Sequence, residues 1–304
     1  MKVHLVDGTY ELFRSFFAAP PAQGAGGREV GAARGLLRSF AALVRQGDVT
    51  HIAVAFDHVI ESFRNRMFAG YKTGAGIDPK LLDQFPLAED VCRALGIVTW
   101  PEVEFEADDA MATAAARFSE LPEVEQVVLA TPDKDLTQCV IGERIVCWDR
   151  MRQKVSGERE VVEKFGVLPE SIPDLLALVG DTADGIPGVP RWGMKSAAVV
   201  LAHYKHLEQI PHDDASWAVR PRGAPVLAAN LRAQWDDALL FRELATLRRD
   251  VPLPESLDDL RYRGPNLALL ARLSEELADF SLLQSFEATA DRSDGSDRGR
   301  DGTA

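Results

Sequence analysis

Five short apolar runs recur in the first half of the chain: KVHLV (2–6), HIAVAF (51–56), GIVTW (96–100), QVVLAT (126–131) and RIVCW (144–148). Each has the length of a strand. Amphipathic stretches such as GAARGLLRSFAALVRQ (31–46) and QFPLAEDVCRAL (84–95) lie between them. Apolar strands alternating with helices predict an α/β fold with a parallel sheet covered on both faces. From about residue 160 the strand-like runs stop, and SIPDLLALVGD, KSAAVVLAHYK and QWDDALLFRELATLRR carry helical patterning. The expected organisation is an α/β domain over 1–160, a mostly helical region over 161–287, and a disordered polar tail over 288–304. The glycine-rich PPAQGAGGREVG (20–31) reads as a flexible loop.

Acidic residues fall at the ends of these runs. The first run leads into Asp7, the second into Asp57, and QVVLAT into PDKD, which supplies Asp133 and Asp135. In an open parallel sheet, ligands bind beyond the carboxyl ends of the strands. EFEADDA places Glu106, Asp108 and Asp109 at the start of an alanine-rich helix, and VGDTADG adds Asp181 and Asp184 at i,i+3 spacing. Taken singly, each has an ordinary explanation. An Asp after a strand is more often a turn or cap residue than a ligand, and Asp108 or Asp109 alone suits a helix N-terminus. The joint pattern says more. Nine converging carboxylates repel one another unless cations are bound, and hard oxygen donors suit Mg²⁺, with Mn²⁺ as a substitute. Two such ions about 4 Å apart are a common device for in-line attack on a phosphodiester.

The net charge of −13 argues against a nucleic-acid partner when taken alone. The nine candidate ligands carry most of that excess, which leaves basic segments free to meet phosphate. Cys92, Cys139 and Cys147 are too few and too irregularly spaced for a disulfide framework or a zinc site. The six histidines form no HExxH motif, and no apolar run approaches membrane-spanning length. A soluble, cytoplasmic protein with no membrane partner is expected.

Two further segments bear on binding. ESFRNRMFAGYKTG (61–74) interleaves Arg64, Arg66 and Lys72 with Phe63, Phe68 and Tyr71, a pattern that suits single-stranded nucleic acid. An amphipathic helix with Phe63 and Phe68 turned to the core is the alternative. DGIPGVPRWGMKSAAVVLAHY (184–204) joins a Gly/Pro-rich turn to a helix, where backbone N–H groups can hold a phosphate. An ordinary connection between two helices would look similar.

In order along the chain, LVDGTYELFRSFFA, VAFD…SFRNRMFAGYK, EFEADDAMA, LATPDKDLTQ, LVGDTADGIPGV and LATLRRDVPL resemble the bacterial 5′–3′ exonuclease and flap endonuclease family, including the 5′-nuclease domain of bacterial DNA polymerase I. The resemblance runs from residue 2 to about 287. It implies a PIN-like α/β nuclease domain and a helix–three-turn–helix DNA-binding region, of helix-hairpin-helix type, with its hairpin at 184–197. It implies a two-metal site of Asp7, Asp57, Glu106, Asp108, Asp109, Asp133, Asp135, Asp181 and Asp184. Arg64 and Lys72 fall where the family steers and activates the scissile phosphate, and Tyr71 where an aromatic packs on the substrate base. Residues 60–83 would form a helical arch around the 5′ strand. Gly188, Gly193, Lys195 and Ser196 fall in the duplex-gripping hairpin, where the family can also hold K⁺. The implied substrates are DNA with 5′ flaps, nicks or 5′ ends, in repair and replication, with functional coupling to a separate DNA polymerase and ligase. The chain departs from the family pattern at Ala75, where an arginine is frequent, at Arg191, where glycine is usual, and around Asp184, which is flanked by Ala183 and Gly185.

Two other readings compete. A haloacid-dehalogenase-type phosphatase would need an aspartate two positions after Asp7, where Thr9 stands. A DNA-junction-binding protein with little catalysis would account for the altered hairpin, but has no use for nine crowded carboxylates.

Overall fold

A computed structural model describes residues 1–288; the expected disordered tail at 288–304 lies, apart from its first residue, outside the described residues. In chain order the elements are β1 (Lys2–Asp7), α1 (Gly8–Ala18), α2 (Gly31–Leu43), β2 (His51–Asp57), α3 (Arg64–Met67), α4 (Pro79–Leu82), α5 (Phe85–Ala94), β3 (Val98–Glu102), α6 (Ala107–Ser119), β4 (Gln126–Ala130), β5 (Ile145–Asp149) and β6 (Lys154–Ser156). There follow α7 (Glu158–Phe165), α8 (Ile172–Val179), α9 (Met194–Tyr204), α10 (Ala224–Ala233), α11 (Trp235–Ala245) and α12 (Leu267–Leu277). Over residues 1–6 and 102–253 the strand order is β1-β4-β5-β6, and elsewhere β2 neighbours β3. No helix among the described residues is long and apolar enough to cross a membrane.

The chain forms two compact units. The first comprises residues 1–6, 59–75 and 102–253; the second comprises 7–58, 76–101 and the chain from Pro254 onward. Both units are therefore discontinuous, and neither ends at residue 160, where strand patterning stops.

In the first unit β1 pairs with β4 in parallel, with Lys2 opposite Gln126 and Val6 opposite Ala130. β4 continues in parallel to β5, and β6 closes the edge as an antiparallel hairpin partner of β5. β1 and β4 are almost wholly buried, which explains their unbroken apolar runs. α6 lies against β4. Its alanines favour helix and present little bulk, so a face including Ala107, Ala110, Ala114 and Phe118 is buried. α8 is apolar over most of its circumference and packs between α9 and α11. It begins with Pro173 in its first turn, where no N–H is needed, and stops at Gly180, whose φ is +86°.

In the second unit α1 packs on α2 and β2, and α5 packs on α2 and α12. Gly8 opens α1 where a side chain would collide with Phe56 and Val54, since an added Cβ would fall 2.6 Å from the Phe56 ring.

The expected helical arch over 60–83 is corrected. Within this stretch only α3 and α4 are helical, each one turn long, and the residues between them adopt turns and bends. Asn65 ties α3 to the following loop by donating to the Lys72 carbonyl at 2.9 Å. Phe63 and Phe68 pack edge-on against Phe105 and Phe241, so the protein itself occupies these rings.

Candidate metal centre

Tight loops of the first unit deliver three carboxylates to one place. Asp135 opens a short 3-10 turn after β4, while Asp181 and Asp184 lie in the loop after α8. One oxygen from each of the three lies within 4.8 Å of the others. The 181–186 loop is closed by reciprocal backbone bonds between Asp181 and Ile186, both 2.8 Å, and by Ala183 N–H donating to Asp181 at 3.0 Å. Asp133 shapes the other loop by accepting the Asp135 N–H at 2.8 Å.

One of these acids is short of partners. Asp135 Oδ1 is buried and makes no hydrogen bond, although Lys134 Nζ lies 3.2 Å away. Burial pushes the Asp135 carboxyl well above the usual range, and Asp133, Asp184 and Asp181 push it further against the opposing pull of Lys134. Lys134 also donates to Asp181. An all-oxygen donor set, a buried oxygen lacking a donor and an excess of negative charge fit a hard divalent cation.

Glu106 joins this cluster through Lys72, whose Nζ lies 2.7 Å from Glu106 Oε2 and 3.1 Å from Asp184 Oδ1. The Lys72 N–H also donates to the Asp184 carbonyl at 3.0 Å. The two loops meet so closely that a Cβ on Gly185, at φ +73°, would sit 2.1 Å from the Gly70 carbonyl oxygen. The glycine beside Asp184 thus has a steric cause. Burial alone would raise the Glu106 carboxyl. Lys72 and Arg64, with hydrogen bonds from Lys72 and Ser62, outweigh burial and depress it to about 2.

Arg64 overturns the expectation that it steers a phosphate. It is 1% exposed, and all five of its N–H donors are used. Nε donates to the Leu244 carbonyl at 2.8 Å. Nη1 donates to Glu106 Oε1 at 2.9 Å and Asp109 Oδ2 at 2.7 Å. Nη2 donates to Asp109 Oδ1 at 2.7 Å and the Thr246 carbonyl at 3.0 Å. Its work is to bind the start of α6 to the end of α11.

Asp109 is corrected for the same reason. It is fully buried, and each of its oxygens accepts two hydrogen bonds, from Arg64 and from the N–H groups of Arg248 and Glu106. No lone pair remains for a cation. Asp109 is a helix-capping and ion-pairing residue, while Asp108 beside it is half-buried in the first turn of α6. Tyr71 is also buried, with its hydroxyl 3.3 Å from Glu106 Oε2, so its ring is not presented to a base.

In the second unit Asp7 ends β1 and caps α1, accepting the Tyr10 N–H at 2.8 Å. Asp57 ends β2, and its N–H donates to Thr9 Oγ1 at 2.8 Å. Thr9, which stands where a phosphatase would need an aspartate, thus ties the two strand ends together.

In the hairpin, Gly188 is buried at φ +74°, and an added Cβ would lie 2.5 Å from the Gly180 nitrogen. Its role here is the close crossing of two backbones. Gly193 and Lys195 are exposed, and Ser196 is half-exposed, accepting the Gly193 N–H at 3.2 Å. Arg191 sits at φ +72°, the left-handed region a glycine would enter freely. Sequence reasoning missed Ser62, which donates to Glu106 at 2.7 Å, and Lys134. The position of Lys134 between two aspartates in PDKD was the available signal.

A resolvase-like α/β domain followed by a helical region, with clustered carboxylates beside the strand ends, defines a nuclease architecture. Residues 2–166 match the model of the 5′–3′ exonuclease N-terminal resolvase-like domain, and residues 167–268 match that of the 5′–3′ exonuclease C-terminal SAM fold. The chain is 32% identical over 286 residues to a 5′–3′ exonuclease of Aquifex aeolicus, covering 94% of this chain and 95% of that one. It is 33% identical over 293 residues to DNA polymerase I of Bacillus caldotenax, covering 94% of this chain and 32% of the relative. It thus spans about a third of the polymerase's length. Among solved structures, a zinc-bound 5′-exonuclease of phage T5 aligns with a TM-score of 0.64 at 17% identity, covering 94% of this chain and 97% of the other. A T5 flap endonuclease complexed with DNA and metal ions aligns with the same TM-score at 18% identity, covering 91% and 98%. The chain belongs to the 5′–3′ exonuclease family.

Proposed function

We propose that this chain hydrolyses DNA phosphodiester bonds at 5′ flaps, nicks and 5′ ends, as a 5′–3′ exonuclease and structure-specific endonuclease dependent on Mg²⁺. The observation that carries the reading is the group of Asp135, Asp181 and Asp184 within 4.8 Å, with one buried oxygen lacking a hydrogen-bond donor. Asp135, Asp181 and Asp184 would hold the metal, together with Asp108 and Asp133, and with Glu106 once Lys72 turns from its Oε2 to the phosphate. For Asp7 and Asp57 the same role rests on their motif positions at the ends of β1 and β2. When bound, two divalent ions supply activation of the attacking water and stabilisation of the leaving 3′ oxygen.

The protein's own groups have separable tasks. Lys72, Arg64 and Ser62 keep Glu106 ionised, and Tyr71 helps hold it in place. Lys72 is the cation offered to the scissile phosphate, since its side chain is part exposed while its backbone is tied to Asp184. The exposed Lys195 and the turn at Gly193 and Ser196 grip the duplex backbone, so structure and not base sequence is read. Arg191, in place of the usual glycine, adds a charge at the turn that would hold K⁺. A DNA polymerase activity and a ligase would act on the products.

A 5′-end-labelled flap duplex incubated with Mg²⁺ or with EDTA, resolved on a denaturing gel, tests this reading. Mg²⁺-dependent product at the flap junction, with mononucleotides from a nicked control, is expected. Asp133→Asn should abolish both while leaving most of the DNA affinity. Retained binding without cleavage in Mg²⁺ or Mn²⁺ would instead favour a junction-binding protein.

A further inference from the structure

Two lysines stand among the acids of the first unit, and only Lys72 has a task so far. The second, Lys134, follows Asp133 and precedes Asp135 in sequence, yet its ammonium also reaches across to the next loop. Its Nζ donates to Asp181 and lies 3.2 Å from Asp135 Oδ1. These are two of the three acids whose oxygens cluster within 4.8 Å.

The main chain at Lys134 is pinned. Its carbonyl accepts both the N–H of Thr137, at 3.0 Å, and the Thr137 hydroxyl at the start of the 3-10 turn. The side chain is not pinned in the same way: it is 35% exposed and has an open route to solvent. A flexible four-carbon arm on a fixed base can exchange partners without disturbing the loop.

The charges explain why it lies where it does. Carboxylates this close repel, and a single ammonium offsets part of that repulsion. A divalent cation would offset more, but it needs the same oxygen lone pairs, and like charges a few ångströms apart exclude each other. Ammonium and metal ion therefore compete for Asp135 and Asp181.

We propose that Lys134 is a displaceable counter-ion. Its ammonium holds Asp135 and Asp181 together while no divalent ion is present and leaves them when one arrives, so Lys134 sets the affinity of the acid pair for that ion. The inference rests on the metal-site reading above.

Calorimetric titration of the full chain with Mn²⁺ alone, without DNA, tests it. Lys134→Met should tighten binding by about tenfold, the scale of one lost hydrogen bond between charged groups. Lys134→Arg, which keeps the charge, should not. In EDTA the methionine variant should melt below the wild type, and Mn²⁺ should raise its melting temperature by more. Lys134→Gln offers the same comparison should the methionine variant not fold. Equal or weaker Mn²⁺ binding by the neutral variants would overturn the proposal while leaving the metal site standing. Absence of Mn²⁺ binding in wild type and variants alike would overturn both.

Discussion

Replacing Arg64 separates a structural cation from a catalytic one. Arg64→Ala removes a guanidinium whose five donors are all engaged, and leaves Asp109 buried without a counter-ion and Glu106 with Lys72 alone. Breaking a buried ion pair from one side costs about 3–5 kcal/mol. In a chain of this size that lowers the melting temperature by about 10 °C. Arg64→Lys keeps the charge but brings three donors to five acceptors, so at least two acceptors lose their partner, at a cost of about 2 kcal/mol or more. Urea unfolding followed by far-UV circular dichroism in EDTA measures both effects without the contribution of bound metal. Cleavage of a flap substrate well below the transition then reports what activity the folded fraction retains. The reasoning would be refuted by an Arg64→Ala protein within about 1 kcal/mol of wild type whose kcat had collapsed. That result would return Arg64 to the substrate phosphate.

Other outcomes follow from the same geometry. Glu106 has its carboxyl depressed to about 2 from an ordinary value of 4.5, so its contribution to stability is complete above about pH 4.5 and is lost as pH falls through about 2. Urea midpoints of the metal-free protein should fall over that window, and Glu106→Gln should flatten the profile there. Gly185→Ala forces a Cβ to 2.1 Å from the Gly70 carbonyl at a left-handed φ, and should cost about 3 kcal/mol in urea unfolding and displace Asp184. Arg191→Gly relieves a left-handed arginine but gives the unfolded chain more freedom; the balance predicts a gain of about 0.5 kcal/mol, seen as a small rise in melting temperature.

The strands were legible because burial on both faces writes itself as unbroken apolar runs, and β1 to β5 fall on the five runs read from sequence. β6 escaped, since KVS is three residues long and its pairing depends on β5. Asp135, Asp181 and Asp184, which cluster, lie within the set of nine acids read from sequence, but the acids' division of labour was not legible. Asp108 and Asp109 look alike in sequence. Only the fold brings Arg64 and the Arg248 N–H onto Asp109, from 45 and 139 residues away, and so consumes its lone pairs. Arg64 misled for the same reason: an arginine among aromatics reads as a surface cation until the carbonyls of Leu244 and Thr246 arrive, 180 and 182 residues later. The arch failed differently. Residues 60–83 carry Gly70, Gly74 and Gly76 and pin their course through Asn65 and Asp184, which favours turns over a continuous helix.

The backbone bond from Lys72 to Asp184, together with the crossing of Gly70 and Gly185, joins two loops more than a hundred residues apart into one piece. A side chain at 185 meets the Gly70 backbone, which no change of the residue at 70 would relieve, whereas a side chain at 70 meets the Phe68 ring. Across relatives, glycine should therefore be kept at 185 whatever stands at 70, and an insertion in one loop should be found only alongside remodelling of the other.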